Sequence, residues 1–196
     1  MQNLYCFDFD GTLTKHDTLF MFLKFYHKNK KKYYIQYIRH IPLFLMCKLR
    51  IIDTERVKKR FIWSIIGGES RETLQKKGND FFSAKYETVC REKAVAFLEK
   101  INRVENDCFL VSASLDIWVK PFADYFNMEL VSTEAKYEND LFTGDFQTKN
   151  CIGAEKVKRI EKVIAGKKYN QIIAFGDSAG DREMLAWADI AHFRIF

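Results

Sequence analysis

Residues 3–14 read NLYCFDFDGTLT. The first six are short, mostly apolar and end in acid, the pattern of a strand buried on both faces with functional side chains at its C-terminal end. Two further stretches repeat it, 107–112 (DCFLVS) and 171–177 (QIIAFGD). Each runs into small residues and then into a helical pattern. Residues 94–104 carry Val95, Leu98, Ile101 and Phe97 as an apolar face, and 153–165 carry Val157, Ile160, Val163 and Ile164 at three- and four-residue steps. Strands alternating with helices predict an α/β fold with a doubly wound parallel sheet, which places its site at the C-terminal strand ends.

Residues 15–85 break the alternation. They read as consecutive helices over 19–27, 33–49, 54–66 and 71–85, with Asp53 and Ser70 as N-caps and Gly67-Gly68 as the break between the last two. This predicts an α/β core of 1–14 plus 86–196 and an inserted helical cap of 15–85. The apolar run in the second helix covers only 41–47, between Arg39-His40 and Lys48. A membrane span needs about 20 such residues, so this helix is not expected to cross a bilayer.

The composition fits that division. A chain of 196 residues suits one domain with a modest insertion, and 47% apolar residues with 18 Phe, 9 Tyr and 3 Trp exclude a disordered chain. Five cysteines, odd in number and without CxxC spacing, argue against a disulfide framework or a zinc knuckle and for a reducing, cytoplasmic compartment. Acid in the first ten residues, where a secretion signal carries base, points the same way. The net charge of +6 is uneven: 15–60 holds thirteen Lys/Arg against three acids, +10, which leaves −4 for the remainder. The cap is the part with a use for an acidic partner.

Two carboxylates two residues apart, Asp8 and Asp10, leave an extended strand end on the same side. Such a pair can hold a divalent cation and divide the roles of nucleophile and proton donor. Gly11 lets the backbone turn closely past a phosphate, and Thr12 offers an amide and a hydroxyl to its oxygens.

The DxDGT motif resembles the haloacid dehalogenase superfamily of phosphohydrolases, and three further motifs follow in the family's order. Ser112 ends the second strand in LVSAS, Lys156 lies early in a helix in GAEKVKRI, and the third strand runs into Gly176-Asp177-Ser178-Ala179-Gly180-Asp181, similar to the family's GDxxxD. The resemblance implies a phosphatase with Mg²⁺ as cofactor. Asp8 would be the nucleophile that forms an aspartyl-phosphate, and Asp10 the general acid and base. Thr12, Ser112 and Lys156 would bind phosphate. Asp8, the backbone carbonyl of Asp10 and Asp177 would hold the metal, with Asp181 one layer out orienting Lys156 or a metal-bound water. The presence of Asp10 sets the chain apart from the superfamily's halide-removing members, and a non-catalytic scaffold on this fold would be expected to lack Asp8 or Asp10. A phosphomutase would share both.

A helical cap between the first and second motifs resembles the phosphoserine phosphatase branch, as does Asn150-Cys151-x-Gly153-x-x-Lys156. That branch carries Glu nine residues past the nucleophile, SGG after the second strand and Asn in the acidic motif. Here those places hold Asp17, Ser112-Ala113-Ser114 and Gly180. Asp17 and Ser114 are therefore the candidate specificity residues. The run Asp17-Thr18-Leu19-Phe20, then Phe22, Phe25, Tyr26, the basic 28–32 and an apolar helix with Pro42 is similar in pattern to phosphatidylglycerophosphatase C-type members. That pattern implies an anionic phospholipid substrate such as phosphatidylglycerophosphate and peripheral contact with the inner membrane face. The alternatives are a small soluble phosphate of the phosphoserine type and a non-catalytic basic binding module. No nucleic-acid-binding signature accompanies the basic residues.

Overall fold

The first apolar run forms β1 (Asn3–Asp8), the middle strand of a parallel sheet. Its side chains are buried on both faces, which is why the run is continuous rather than alternating. Leu4 and Cys6 pack with Val111, Ala174, Ile160 and Met184 on one side. On the other, Phe7 stacks on Phe175 with ring centres 4.4 Å apart. A computed structural model describes residues 2–196.

After β1 come four helices, α1 (Thr18–Tyr26), α2 (Lys31–Lys48), α3 (Thr54–Ile66) and α4 (Arg71–Val89). Asp53 and Ser70 cap α3 and α4 as expected, accepting from the amides of Glu55 at 2.9 Å and Thr73 at 3.2 Å. Then follow α5 (Glu92–Glu99), β2 (Asn106–Leu115), α6 (Asp116–Tyr125), β3 (Glu129–Thr133), a two-stranded antiparallel hairpin β4 (Ala135–Glu138) and β5 (Leu141–Phe146), α7 (Ala154–Ile164), β6 (Ile172–Gly176), α8 (Arg182–Trp187) and β7 (Ile190–Phe193). Helix α5 stops five residues short of the periodicity that predicted it. Lys100 and Ile101 donate back three residues, to Phe97 and Leu98, which tightens and ends the helix, and Val104 is 87% exposed. The hairpin and α6 fall in a stretch for which the sequence carried no expectation.

The sheet order is β3–β2–β1–β6–β7, parallel throughout. The chain moves outward from β1 to β3 and then returns to the other side of β1. The connections of β1 and β6 therefore part at their C-terminal ends, where open α/β sheets form their crevice.

The helical segment joins the sheet at a pair of touching connections. Thr14 and Cys90 form an isolated antiparallel bridge, with Lys15 donating to Val89 O and Arg91 to Leu13 O. The segment is also fastened by packing. Phe22 of α1 stacks on Trp118 of α6 at 5.0 Å, and Phe81 of α4 meets Phe122 of α6 edge-on. Helix α4 approaches α6 so closely at Gly78 that any side chain there would collide with the backbone oxygen of Ile117. Gly78→Ala is therefore expected to destabilise the fold by about 1–3 kcal/mol through overpacking, read as a lower midpoint in urea unfolding. An unchanged midpoint would mean that the two helices separate freely.

Candidate active site

Three strand ends meet at the crevice. The β1 register sets Asp8 opposite Val111, one residue before Ser112 on β2, while β6 runs out at Gly176 into Asp177. The chain then turns through Phe9–Leu13 with Gly11 at φ 88°, in the left-handed region that favours glycine. A side chain on Gly11 would also strike the Asp177 carboxylate. This glycine is needed twice, for the turn and for the approach.

Lys156, in the first turn of α7, reaches from the other side. Its ammonium is 2% exposed and donates to Asp8 Oδ1 at 2.6 Å, Asp181 Oδ1 at 2.6 Å and the Val111 carbonyl at 3.2 Å. Asp181 is in turn held by the loop it belongs to: its Oδ2 accepts from the amides of Asp177 and Ser178 and from the Ser178 hydroxyl. The Gly153 amide donates to Gly180 O at 2.8 Å, which ties the start of α7 to that loop.

The charges respond accordingly. Burial alone would lower Lys156, but the carboxylates of Asp8 and Asp181 outweigh it and hold the ammonium above its usual range. Burial would raise Asp181, but Lys156 and the Ser178 donors hold it below the usual carboxylate range. Asp8 shares Lys156 yet has one oxygen, Oδ2, buried without a hydrogen-bond partner. For Asp8, burial wins over Lys156 and pushes the carboxyl up to about 7. Asp177 is also raised, by burial and then by Asp181, and its Oδ1 is likewise buried without a partner.

Carboxylate oxygens of Asp8, Asp177 and Asp181 lie within 4.8 Å of one another. Both oxygens of Asp181 already accept from protein donors, whereas Asp8 Oδ2 and Asp177 Oδ1 do not. Buried carboxylate oxygens without a partner, on two residues of one such cluster, suit a hard divalent cation. The donor set fits a metal of that kind.

Asp10 faces the other way. Its Oδ1 accepts from the Thr18 amide and hydroxyl, both at 2.6 Å, and its Oδ2 from the Ser114 hydroxyl at 2.5 Å. Trp118 Nε1 donates to the same Thr18 hydroxyl at 3.0 Å. Its carboxylate is thus fixed by the first turn of α1 and by the end of β2.

A cavity of about 830 Å³ opens over these groups. Asp8, Asp10, Ser114, Lys156, Asp177 and Asp181 line its floor, while Leu19, Phe20, Tyr37, Phe44, Val57 and Phe61 make an apolar wall from α1, α2 and α3. Asp17 lies at the rim and caps α1, accepting from the Leu19 amide at 2.9 Å. Burial, and then the nearby Asp10, push its carboxyl up to about 6. Two expected phosphate ligands are set back from the cavity. Ser112 is buried, with its Oγ accepting the Ser114 amide at 3.0 Å. Thr12 has a buried, unpartnered hydroxyl, and the residue lines a narrow cleft beside Phe175 and Arg194.

A sequence model of haloacid dehalogenase-like hydrolases matches residues 6–186, from β1 into α8. The chain belongs to this family. Protein CicA of Caulobacter vibrioides is 30% identical over 197 residues, covering 98% of this chain and 86% of the relative. Among solved structures, a Bordetella pertussis protein of unknown function superposes with a TM-score of 0.83 at 19% identity, over 96% of this chain and 87% of that one. A substrate-bound phosphoserine phosphatase gives 0.67 at 16% identity, over 98% and 86%. Both share the fold.

For a haloacid dehalogenase-like hydrolase, the residues that motif reading overlooks are those brought in from the helices and the C-terminal end. Lys58 of α3 lines the cavity and donates to the Ala113 carbonyl at 2.8 Å. Burial lowers its ammonium against the pull of Asp10 and Asp17. Arg194 holds the Asp177 carbonyl at 2.7 Å, and Thr18 grips Asp10. None has a local sequence signal, since the partners are 55, 17 and 8 residues away. The serine pair near the end of β2, Ser112 and Ser114, did carry one, but Ser114 holds Asp10 as well as facing the cavity.

Proposed function

We propose that the protein hydrolyses a phosphomonoester through an aspartyl-phosphate on Asp8. The observation that carries this reading is the buried Lys156 locked between Asp8 and Asp181 beside two unpartnered carboxylate oxygens. A family hydrolase with those groups on a cavity floor has what phosphoryl transfer needs, positioned charge and a fixed nucleophile.

In the first step an Asp8 oxygen attacks phosphorus, the bond to the leaving oxygen breaks, and Asp10 gives that oxygen its proton. In the second, Asp10 takes a proton from water as the water oxygen attacks phosphorus, and phosphate leaves Asp8 as a free carboxylate. Thr18 and Ser114 aim Asp10 throughout. Lys156 offsets charge on the transferring group and keeps Asp8 oriented, and Asp181 orients Lys156. Thr12 and Ser112 would contribute at the back of the phosphate site. Mg²⁺ suits the orphaned oxygens of Asp8 and Asp177, with the Asp10 main-chain carbonyl as a further ligand, and when bound it supplies the positive charge that lets an anionic nucleophile meet an anionic phosphate. The helices α1–α4 act as a cap on the core and present the leaving group with its apolar wall.

That wall supports an anionic phospholipid, of the phosphatidylglycerophosphate kind, as substrate. The second reading is a small zwitterionic phosphate of the phosphoserine type, and the presence of one acid, Asp17, and one base, Lys58, in the lining of the same cavity favours it. A panel of an aryl phosphate, phosphoserine and phosphatidylglycerophosphate vesicles, with Mg²⁺ or with excess EDTA, separates them. Turnover that survives EDTA would overturn the proposed metal.

Asp10→Asn tests the division of labour. It keeps the main-chain carbonyl and removes only the proton carrier, so turnover is expected to fall by about 10²-fold or more with little change in Mg²⁺ affinity by titration calorimetry. Loss of Mg²⁺ binding with chemistry intact would reverse the roles.

A further inference from the structure

The helix that walls the cavity has a second apolar face. Tyr34, Ile38, Ile41 and Leu45 follow at four-, three- and four-residue steps along α2, and Leu49 continues the line just beyond its end. All five are exposed, Ile38 by 63%. The stripe that packs lies about 100° round the helix, one residue earlier at each step: Tyr33, His40 and Phe44 all meet Phe61 of α3. A surface helix needs one apolar stripe, and α2 has two.

Cations rim the outer stripe. Lys28, Lys30 and Lys31 lie at its N-terminal end, Arg39 along it, and Lys48 and Arg50 on either side of its last residue, Leu49. None pairs with a carboxylate among the described residues. Apolar side chains flanked by unpaired Lys and Arg are how a helix lies in a lipid interface.

We propose that this face of α2 docks on an anionic bilayer, with the stripe at the acyl boundary and the cations among the headgroups. A second copy of the chain is the wrong occupant, because it would bring the same unpaired cations against these. Among the described residues no helix is long and apolar enough to cross a membrane, so the contact is peripheral. Tyr37, Phe44 and Cys47 of the same helix line the cavity, which places the docked surface and the leaving-group wall on one element. The proposal extends the phospholipid reading but stands on surface residues, and its test reads binding rather than turnover.

The experiment is co-sedimentation with phosphatidylcholine vesicles, with and without phosphatidylglycerol, at low and physiological salt. The wild type is expected to sediment only with the anionic vesicles and less so at the higher salt. Two variants follow, Ile38→Gln/Ile41→Gln/Leu45→Gln and Lys28→Gln/Lys30→Gln/Lys31→Gln/Arg39→Gln. Each should weaken anionic-vesicle binding by about 10²-fold, with vesicle-free aryl-phosphate turnover unchanged. Should the stripe variant lose that turnover, and so its fold, the cation variant decides: retained binding overturns the proposal and lost binding supports it. Wild-type indifference to both vesicles overturns it. So does a wild-type dimer that the stripe variant splits into monomers. Docking without turnover in any phosphate assay would instead sink the catalytic reading and leave this one standing.

Discussion

Asp8→Asn is expected to leave a folded protein with no measurable phosphatase activity, a loss of about 10⁴-fold or more. The amide is nearly isosteric but is a poor nucleophile. Lys156 still has Asp181 Oδ1 at 2.6 Å and the Val111 carbonyl at 3.2 Å, so the buried ammonium keeps two of its three acceptors. Removing a carboxylate that burial had already pushed up to about 7 also relieves strain on the apo fold. The variant should therefore unfold at the same urea concentration as wild type or a higher one. Activity within tenfold of wild type would overturn the assignment of Asp8. Inactivity with a large drop in stability would leave it untouched and point to misfolding.

Lys156→Met is expected to have the opposite profile, a large loss of stability together with the loss of activity. It strands Asp8 and Asp181 against each other with no counter-charge, and removing one partner of a buried ion pair costs about 3–5 kcal/mol. The pH dependence identifies the cause. In wild type Asp181 is held below its usual range, so its contribution is present above its unfolded pKa and is lost only as pH falls through its lower folded value. Asp8, raised to about 7, binds protons more readily folded than unfolded, so its contribution to stability falls as pH rises from the ordinary carboxylate range toward 7. Without Lys156 both groups follow the second pattern. The gap between variant and wild type in urea unfolding should be widest near neutral pH and narrow toward pH about 5, where both carboxyls can be protonated. A gap independent of pH would mean that Lys156 stabilises by packing alone.

Much of this site could be read from the sequence because its chemistry sits at strand ends. Asp8, Ser112 and Asp177 each close an apolar run, and apolar runs are visible without coordinates. Lys156 was legible for a different reason, the resemblance of Asn150-Cys151-x-Gly153-x-x-Lys156 to a family motif, since a lone Lys on a helix carries no signal of its own. Where partners are supplied across the fold, no such signal exists. Lys58 is one of thirteen cations in the basic segment, and only the reach of its ammonium to the Ala113 carbonyl of β2 separates it from the others. Ser114 shows the same limit from the other side. The expected strand stopped at Ser112, whereas β2 continues through a bulge to Leu115, and this extension turns the Ser114 hydroxyl onto Asp10. The helices of 15–85 were found because their periodicity is local, and their ends were less accurate because capping is not. Helix α4 runs on to Val89, where the chain meets the Thr14–Cys90 bridge.

That bridge bears on how such a molecule can change. Because Thr14 and Cys90 are paired, everything between them is topologically a single loop hung from two adjacent points. Loop closure entropy grows only logarithmically with length, so the sheet and its aspartates are nearly indifferent to how much chain hangs there. Insertions, deletions or a wholesale exchange of the segment need not disturb the register of β1 against β2. The demand on any replacement comes from below: Trp118 and Phe122 of α6 are fully buried and would become a wet apolar floor without Phe22 and Phe81 above them. A graft that brings two aromatic side chains to that floor, and a backbone amide and hydroxyl to Asp10 in place of those of Thr18, would alter which phosphate ester enters while leaving the cavity floor in place.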